Sequence, residues 1–167
     1  MSYFRPDTRK LVLVSGGFDP IHVGHVRMIE GAARHGGVVV VLNSDEWLMR
    51  KKGYVFMPWK ERAEIILNLK NVLSVEPVDD SDETVCKALT RIRPDIFANG
   101  GDRKLENTPE IELCEKLNIE LLWNVGGGKI QSSSDLVDRQ KEQTDKNKHD
   151  VRLKNLLEIE EAKSDGV

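Results

Sequence analysis

Leu11-Val12-Leu13-Val14-Ser15-Gly16-Gly17-Phe18-Asp19-Pro20-Ile21-His22-Val23-Gly24-His25 is the stretch on which the fold turns. Its first four residues are an apolar, β-favouring run that suits a buried strand. From Val23 to Arg34 the apolar residues Val23, Val26, Met28, Ile29 and Ala33 suit a helix, and Gly36-Gly37 stops it. In an open parallel sheet, ligands bind beyond the carboxyl ends of the strands, and Gly16 to His25 falls at such a place. Glycines there let the backbone approach a bulky anion, and the free N–H groups of a helix start attract phosphate. His22 and His25 are three residues apart, so on a first helical turn they share a face. Two imidazoles with glycines around them at a helix N-terminus form a phosphate-handling surface.

The same rhythm continues outward. Val38 to Leu42 reads as a second buried strand, Lys60 to Lys70 as a helix preceded by Pro58, and Leu73 to Val78 as strand three. Asp82 to Ile92 has Val85, Ala88, Leu89 and Ile92 at helical spacing; Arg93-Pro94 then leads into strand four, Asp95 to Ala98, which ends at Asn99-Gly100-Gly101-Asp102. Pro109 to Leu117 is helical and Ile119 to Val125 is strand five. Beyond Gly126-Gly127-Gly128, the serines Ser132, Ser133 and Ser134 open another helix at Asp135 to Arg139. Strands separated by helices imply βαβ units and an α/β fold whose parallel sheet is covered on both faces. The last thirty residues are half charged, and Val151, Leu153, Leu156, Leu157 and Ile159 predict one short amphipathic helix with Asp150 as its cap. That segment reads either as a solvated helix with a frayed tail or as an arm that docks on a second subunit.

Composition narrows the function. The 167 residues suit one main domain at about 150 residues per domain. Charged residues are 32% of the chain, but the net charge is -3, so no global basic field points to nucleic acid and no polybasic cluster to a membrane surface. The N-terminus opens no apolar signal-peptide segment, and the longest apolar run, Val38 to Leu42, is far short of a membrane span. Cys86 and Cys114 are the only cysteines and lack the spacing of structural zinc ligands, so a reducing, cytoplasmic setting and no protein-held metal site are expected. P-loop, GxGxxG, HExxH and GxSxG patterns are all missing.

With the first block read as GxFDxxHxGH, the chain resembles the cytidylyltransferase-like nucleotidyltransferases. Further blocks carry the resemblance in order over residues 11 to 137: Asn43-Ser44-Asp45, the basic run Arg50-Lys51-Lys52-Gly53, and Met57-Pro58-Trp59-Lys60-Glu61-Arg62-Ala63. Ile92-Arg93-Pro94-Asp95 and Gly100-Gly101-Asp102 are most similar to heptose-phosphate adenylyltransferases, with glycerol-3-phosphate cytidylyltransferases next. Ser132 to Ser134 stands where the family has a serine/threonine triplet. Two positions depart from those enzymes: Arg103 replaces an aromatic, and Gly127 to Gln131 has no arginine before the serines.

The resemblance implies a Rossmann-like sheet of five parallel strands in the order 3-2-1-4-5, a nucleotidyltransferase domain over residues 1–140, and a charged helix or tail over 141–167. It implies transfer of NMP from an NTP to a phosphorylated acceptor with release of pyrophosphate, ATP and a heptose-1-phosphate-like sugar phosphate being favoured. Glycerol- or other alcohol-phosphate cytidylyl transfer from CTP, mononucleotide adenylyl transfer, and a non-catalytic nucleotide-binding module are the alternatives. His22, His25, Lys52 (or Lys51) and Arg62 are the implied catalytic set. Gly16, Gly17, Phe18, Asp19, Gly24, Gly101, Asp102, Ser132, Ser133 and Ser134 are the implied nucleotide-binding set. Mg²⁺ accompanies the NTP, and a homodimer is left open. Local roles compete with these: Lys51 and Lys52 as a solvated loop, Arg62 paired with Glu61 or Glu64, Asp102 and the serines as caps, and Phe18 and Trp59 as packing residues.

Overall fold

The computed structural model describes residues 10–101, 109–128 and 131–164. Of these, residues 10–131 form one compact unit and 132–164 a second. The first unit runs β1 (Leu11–Gly16), α1 (Val23–Ala33), β2 (Gly37–Leu42), α2 (Asp45–Lys52), α3 (Trp59–Leu67), β3 (Val72–Pro77), α4 (Cys86–Ile92), β4 (Ile96–Ala98), α5 (Pro109–Leu117) and β5 (Glu120–Leu122). All strand pairs are parallel and the order is β3-β2-β1-β4-β5, as the Rossmann-like reading expects.

The apolar runs of β1 and β2 are continuous because both faces of the sheet are covered. Side chains alternate across a strand, so Leu11, Leu13, Val39 and Val41 enter one core with Ala88, Leu89 and Cys114 of α4 and α5. Val12, Val14, Val38, Val40 and Leu42 enter the other with Ile29 and Ala32 of α1 and Ile66 of α3. The direction in which strands are added reverses between β1 and β4, the switch point at which sheets of this kind take ligands.

Several elements differ from the sequence reading. The basic run Arg50-Lys51-Lys52 is the last turn of a helix, α2, rather than a loop. Ser44 caps it by accepting from Trp47 N, Asp45 and Glu46 suit its first turn, and Gly53 (φ 79°) closes it in the left-handed conformation. α4 begins at Cys86, not at Asp82, because the Asp82 carboxylate accepts from Thr84 N and Oγ1 and holds a turn there. β5 covers only Glu120–Leu122, and positive φ at Asn124, Gly126 and Gly127 ends it.

The second unit is one helix, α6 (Ser133–Ser164), of 32 residues. It replaces the two separate helices expected at Asp135–Arg139 and after Asp150, and it runs without a break through 140 and 141. From Gln131 to Ser164 the sequence has neither Gly nor Pro, so nothing in it interrupts the backbone ladder. Among the described residues no helix is long and apolar enough to cross a membrane.

Candidate active site

β1 delivers the chain through Gly16 and Gly17 into the start of α1, where His22 is the N-cap with extended backbone (φ -144°, ψ 173°). Its Nδ1 accepts from the Gly24 N–H at 3.1 Å, a role usually filled by Ser, Thr, Asp or Asn. In return His25 Nδ1 accepts from the His22 N–H at 3.2 Å. The rings stack, with centroids 3.8 Å apart and planes 27° apart. An imidazole nitrogen that accepts carries no proton, so in both rings the neutral form has its proton on Nε2. His25 is held neutral: burial, then the neighbouring His22 and the Lys52 charge, push its pKa down from 6.5 to about 3.

The glycines around the pair answer to protein neighbours. A Cβ on Gly24 would lie 2.9 Å from His22 Cε1, so this glycine makes room for the capping ring. One on Gly16 would lie 3.1 Å from the Phe18 ring, and one on Gly17 would lie 2.9 Å from Leu48 Cδ2 of α2. Phe18 is buried with φ 50° and sets its ring 4.7 Å from that of His25. It is therefore a wall behind the histidine.

Asp19 is completely buried, and its carboxylate accepts from Phe56 N and Met57 N, both at 2.7 Å. These bonds anchor the segment between α2 and α3 to the β1–α1 turn, so Asp19 holds backbone in place. Lys52, at the end of α2, donates from Nζ to the Asp19 carbonyl at 2.9 Å and is half-buried. Burial lowers its pKa; the charge of Asp19 raises it and that of Arg62 lowers it. Lys51 is exposed, so Lys52 is the member of the basic run that stands beside the histidines.

Arg62 corrects an expectation. It is fully buried, with Nε donating to Met57 O at 2.8 Å and Nη1 to Gly17 O at 2.6 Å and Asn43 O at 3.1 Å. Nη2 donates to Asp45 Oδ1 at 2.5 Å, so the ion pair is made with Asp45 rather than Glu61 or Glu64. Four of the five guanidinium N–H groups are thus used inside the protein. Arg62 ties the end of β1, the end of β2, α2 and the segment before α3 into one frame.

The carboxyl ends of β4 and β5 meet α1 at Met28. A Cβ on Gly100 would lie 3.3 Å from Met28 Sδ, and one on Gly126 would lie 2.8 Å from Met28 Cα. Asn99 N donates to Leu122 O, and Val125 N to Asn99 O, which keeps the two strand ends together. Gly101 is exposed just past β4. Asp102, Arg103 and Lys129 lie outside the described residues. Ser132 accepts from Asp135 N at 3.0 Å and caps α6, so for this serine the local role holds; Ser133 is buried and Ser134 exposed. A cleft of about 630 Å³ runs between the outer face of α1 (Arg27, Glu30, Arg34) and Leu122 to Gly127; neither histidine lines it.

Sequence reasoning missed the support of α2. Asp80 is buried and accepts from Asn43 Nδ2, Ser44 N and Ser44 Oγ, fixing the helix start whose far end carries Lys52. The cap residues of α2 were a usable signal; the Asp80 partners had none.

A sequence profile of the cytidylyltransferase-like family matches residues 13–125, which takes in most of β1, the histidine pair, α2, Arg62 and β5. The chain belongs to the cytidylyltransferase-like nucleotidyltransferases. It is 32% identical over 136 residues to the bifunctional protein HldE of Syntrophotalea carbinolica, a match covering 78% of this chain and 27% of that protein. It is 34% identical over 101 residues to the FAD synthase of Ferroglobus placidus, covering 58% of this chain and 62% of that one. The chain thus spans about a quarter of the HldE relative's length and under two thirds of the FAD synthase. Among solved structures it resembles the lipopolysaccharide core biosynthesis protein of Thermoplasma volcanium (TM-score 0.60, 25% identity, 73% of this chain and all of that one). It shares its fold with the bifunctional NMN adenylyltransferase/ADP ribose pyrophosphatase of Francisella tularensis (TM-score 0.58, 16% identity, 80% of this chain and 42% of that one).

Proposed function

We propose that this chain transfers a nucleoside monophosphate from an NTP to a phosphorylated small molecule and releases pyrophosphate. The observation that carries this reading is the stacked pair of imidazoles at the start of α1, each locked by an Nδ1 that accepts a backbone N–H, with the neutral His25 beside the Lys52 ammonium. A phosphate oxygen of the acceptor attacks the α-phosphorus in line, and the bond from that phosphorus to the bridging oxygen of the β-phosphate breaks. No covalent protein intermediate is needed, only positioning and hydrogen-bond donors where charge develops. His25 Nε2–H meets the α-phosphate oxygens, His22 the phosphates beside them, and Lys52 supplies the compensating charge. Asp19 and Arg62 keep these groups in register.

The triphosphate would carry Mg²⁺ to the site, where the ion would offset phosphate charge. The donor set of the site, the His25 Nε2–H and the Lys52 ammonium, suits phosphate oxygens rather than a bare cation. ATP and a sugar 1-phosphate are the favoured substrates, in keeping with the HldE relatives. A second reading, AMP transfer onto a flavin phosphate, is favoured by the FAD synthase relative, more than half of which this chain covers.

The test is a matrix of the four NTPs against sugar 1-phosphates, glycerol phosphate, nicotinamide mononucleotide and flavin mononucleotide, read as pyrophosphate release with Mg²⁺. Release that requires one acceptor class supports the reading and names the substrate. Release at a similar rate without acceptor, or no NTP binding by calorimetry, refutes it.

A further inference from the structure

We propose that Arg50 is a positioning residue that straps the last turn of α2 to the loop after β3 and so sets where Lys52 stands. This rests on the nucleotidyl-transfer reading, in which Lys52 meets the NTP phosphates. α2 is short, and Leu48 is its one buried residue. Beyond Leu48 the last turn has no apolar anchor: Met49 is 52% exposed, and Arg50 and Lys51 are exposed too. A short helix without a packed face is marginal, so polar contacts decide where that turn lies. Arg50 and Lys52 are two positions apart, about 200° round the helix, and leave it on opposite sides.

On one side Lys52 Nζ donates to Asp19 O at 2.9 Å. On the other, Arg50 holds the turn from Asp80 to Glu83 with two arms. Its Nη2 donates to Asp80 O at 2.8 Å, and its Nε donates to Glu83 Oε1 at 2.7 Å. The turn is itself built: Glu83 N donates to the same Asp80 carbonyl at 3.0 Å, and Glu83 has φ 64°. Arg50 Nη2 also lies 3.8 Å from the buried Asp80 carboxylate, which accepts from Ser44 N and Ser44 Oγ at the start of the helix. One residue, Asp80, therefore meets both ends of α2. An exposed ion pair alone would hold little. A planar fork on two fixed acceptors sets direction as well as distance, which a lysine at the same place would not. Arg50 is thus spent on the protein, while Lys52 of the same basic run faces the histidines.

The test uses the full chain and reads Lys52 directly. In protein labelled with ¹³C-lysine, the Cε resonance of Lys52, assigned from Lys52→Arg, is followed through its titration. Burial holds the Lys52 pKa down, and Asp19, Arg62 and His25 are its charged or titratable neighbours among the described residues. Arg50→Lys keeps the charge but not the two-armed grip. It should let Lys52 further into water, so that its midpoint moves up toward that of the exposed Lys51. Asp80→Asn should move it the same way, although loss of a negative charge at fixed geometry would move it down. By calorimetry, Arg50→Lys should weaken NTP binding about threefold to tenfold, and weaken it no further in a Lys52→Ala chain. A role confined to stability would leave the Lys52 midpoint of the folded protein in place and weaken binding equally with and without Lys52. Either result overturns the proposal, as does a downward shift in Asp80→Asn. The titration needs no NTP, so it decides the strap even where the nucleotidyl-transfer reading fails.

Discussion

Lowering the pH from 7 to 5 should destabilise the first unit, and His25 should account for a measurable part of the loss. In the folded chain this imidazole protonates only near pH 3; in the unfolded chain it protonates at about its ordinary 6.5. Between those values the unfolded state binds the extra proton, so stability falls as the pH falls. Over the whole window the two pKa values correspond to roughly 4–5 kcal/mol, and between pH 7 and pH 5 to about 2 kcal/mol. Against a typical total of about 5–15 kcal/mol that is a large share. The assay is urea unfolding followed by tryptophan fluorescence, since Trp47, Trp59 and Trp123 all belong to the first unit. The comparison variant is His25→Asn, whose side-chain oxygen can still accept from His22 N but which cannot titrate. Carboxylates and the other histidines are common to both proteins, so the difference between their losses isolates the His22–His25 pair. The wild type should lose about 2 kcal/mol more than the variant. Equal losses would mean that the imidazole is not held neutral by the fold, and the tautomer argument would fail with it.

Further outcomes follow from the same geometry. His25→Ala should cut kcat by about 10²–10³ with little change in the KM for NTP, and His25→Gln, which returns an N–H at the reach of Nε2, should recover at least about tenfold of it; equal pyrophosphate release by the two would refute the hydrogen-bond role. Gly24→Ala should displace the His22 ring and lower kcat about tenfold or more, while Tm barely moves because alanine is the better helix former; unchanged turnover would show that the ring's seat is immaterial. Arg62→Lys should cost about 3–5 kcal/mol of stability, read as a fall in Tm, and leave the NTP Kd of the folded fraction unchanged; a lost Kd at full stability would return Arg62 to the phosphates. Because burial lowers the Lys52 pKa, the alkaline fall of kcat/KM should begin at a lower pH than for an ordinary lysine and vanish in Lys52→Arg; superimposable profiles would take Lys52 out of phosphate binding.

The parts of this fold that were legible in the sequence are those with a periodic apolar signal. β1 and β2 are buried on both faces and so read as unbroken runs, and α1 shows its spacing between two glycine stops. α2 has no such signal, since Leu48 is its one buried residue. Its evidence lay at its ends, in Ser44, the acid–base polarity and Gly53, and that evidence decides where Lys52 stands. The continuity of α6 was also readable, from the lack of any Gly or Pro. Asp19 and Arg62 stand out in the sequence through the family blocks that hold them, and the structure shows both hydrogen-bonded to distant backbone, Phe56 and Met57 for one, Gly17 and Asn43 for the other. No local pattern encodes partners 37 or 45 positions away.

The neutrality of His25 follows from the backbone as well as from burial. An imidazolium has no acceptor: both of its nitrogens carry protons. Protonating His25 would break its bond from His22 N, and it would also set a cation against the free N–H groups and positive end of the same helix. The bond from His22 N to His25 Nδ1 thus belongs to the start of the helix and also chooses the His25 tautomer. A serine or aspartate cap would start α1 equally well, but it would leave no ring N–H to offer a phosphate. On the proposed function this accounts for histidines at these two positions, and for Gly24, where a Cβ would lie 2.9 Å from His22 Cε1.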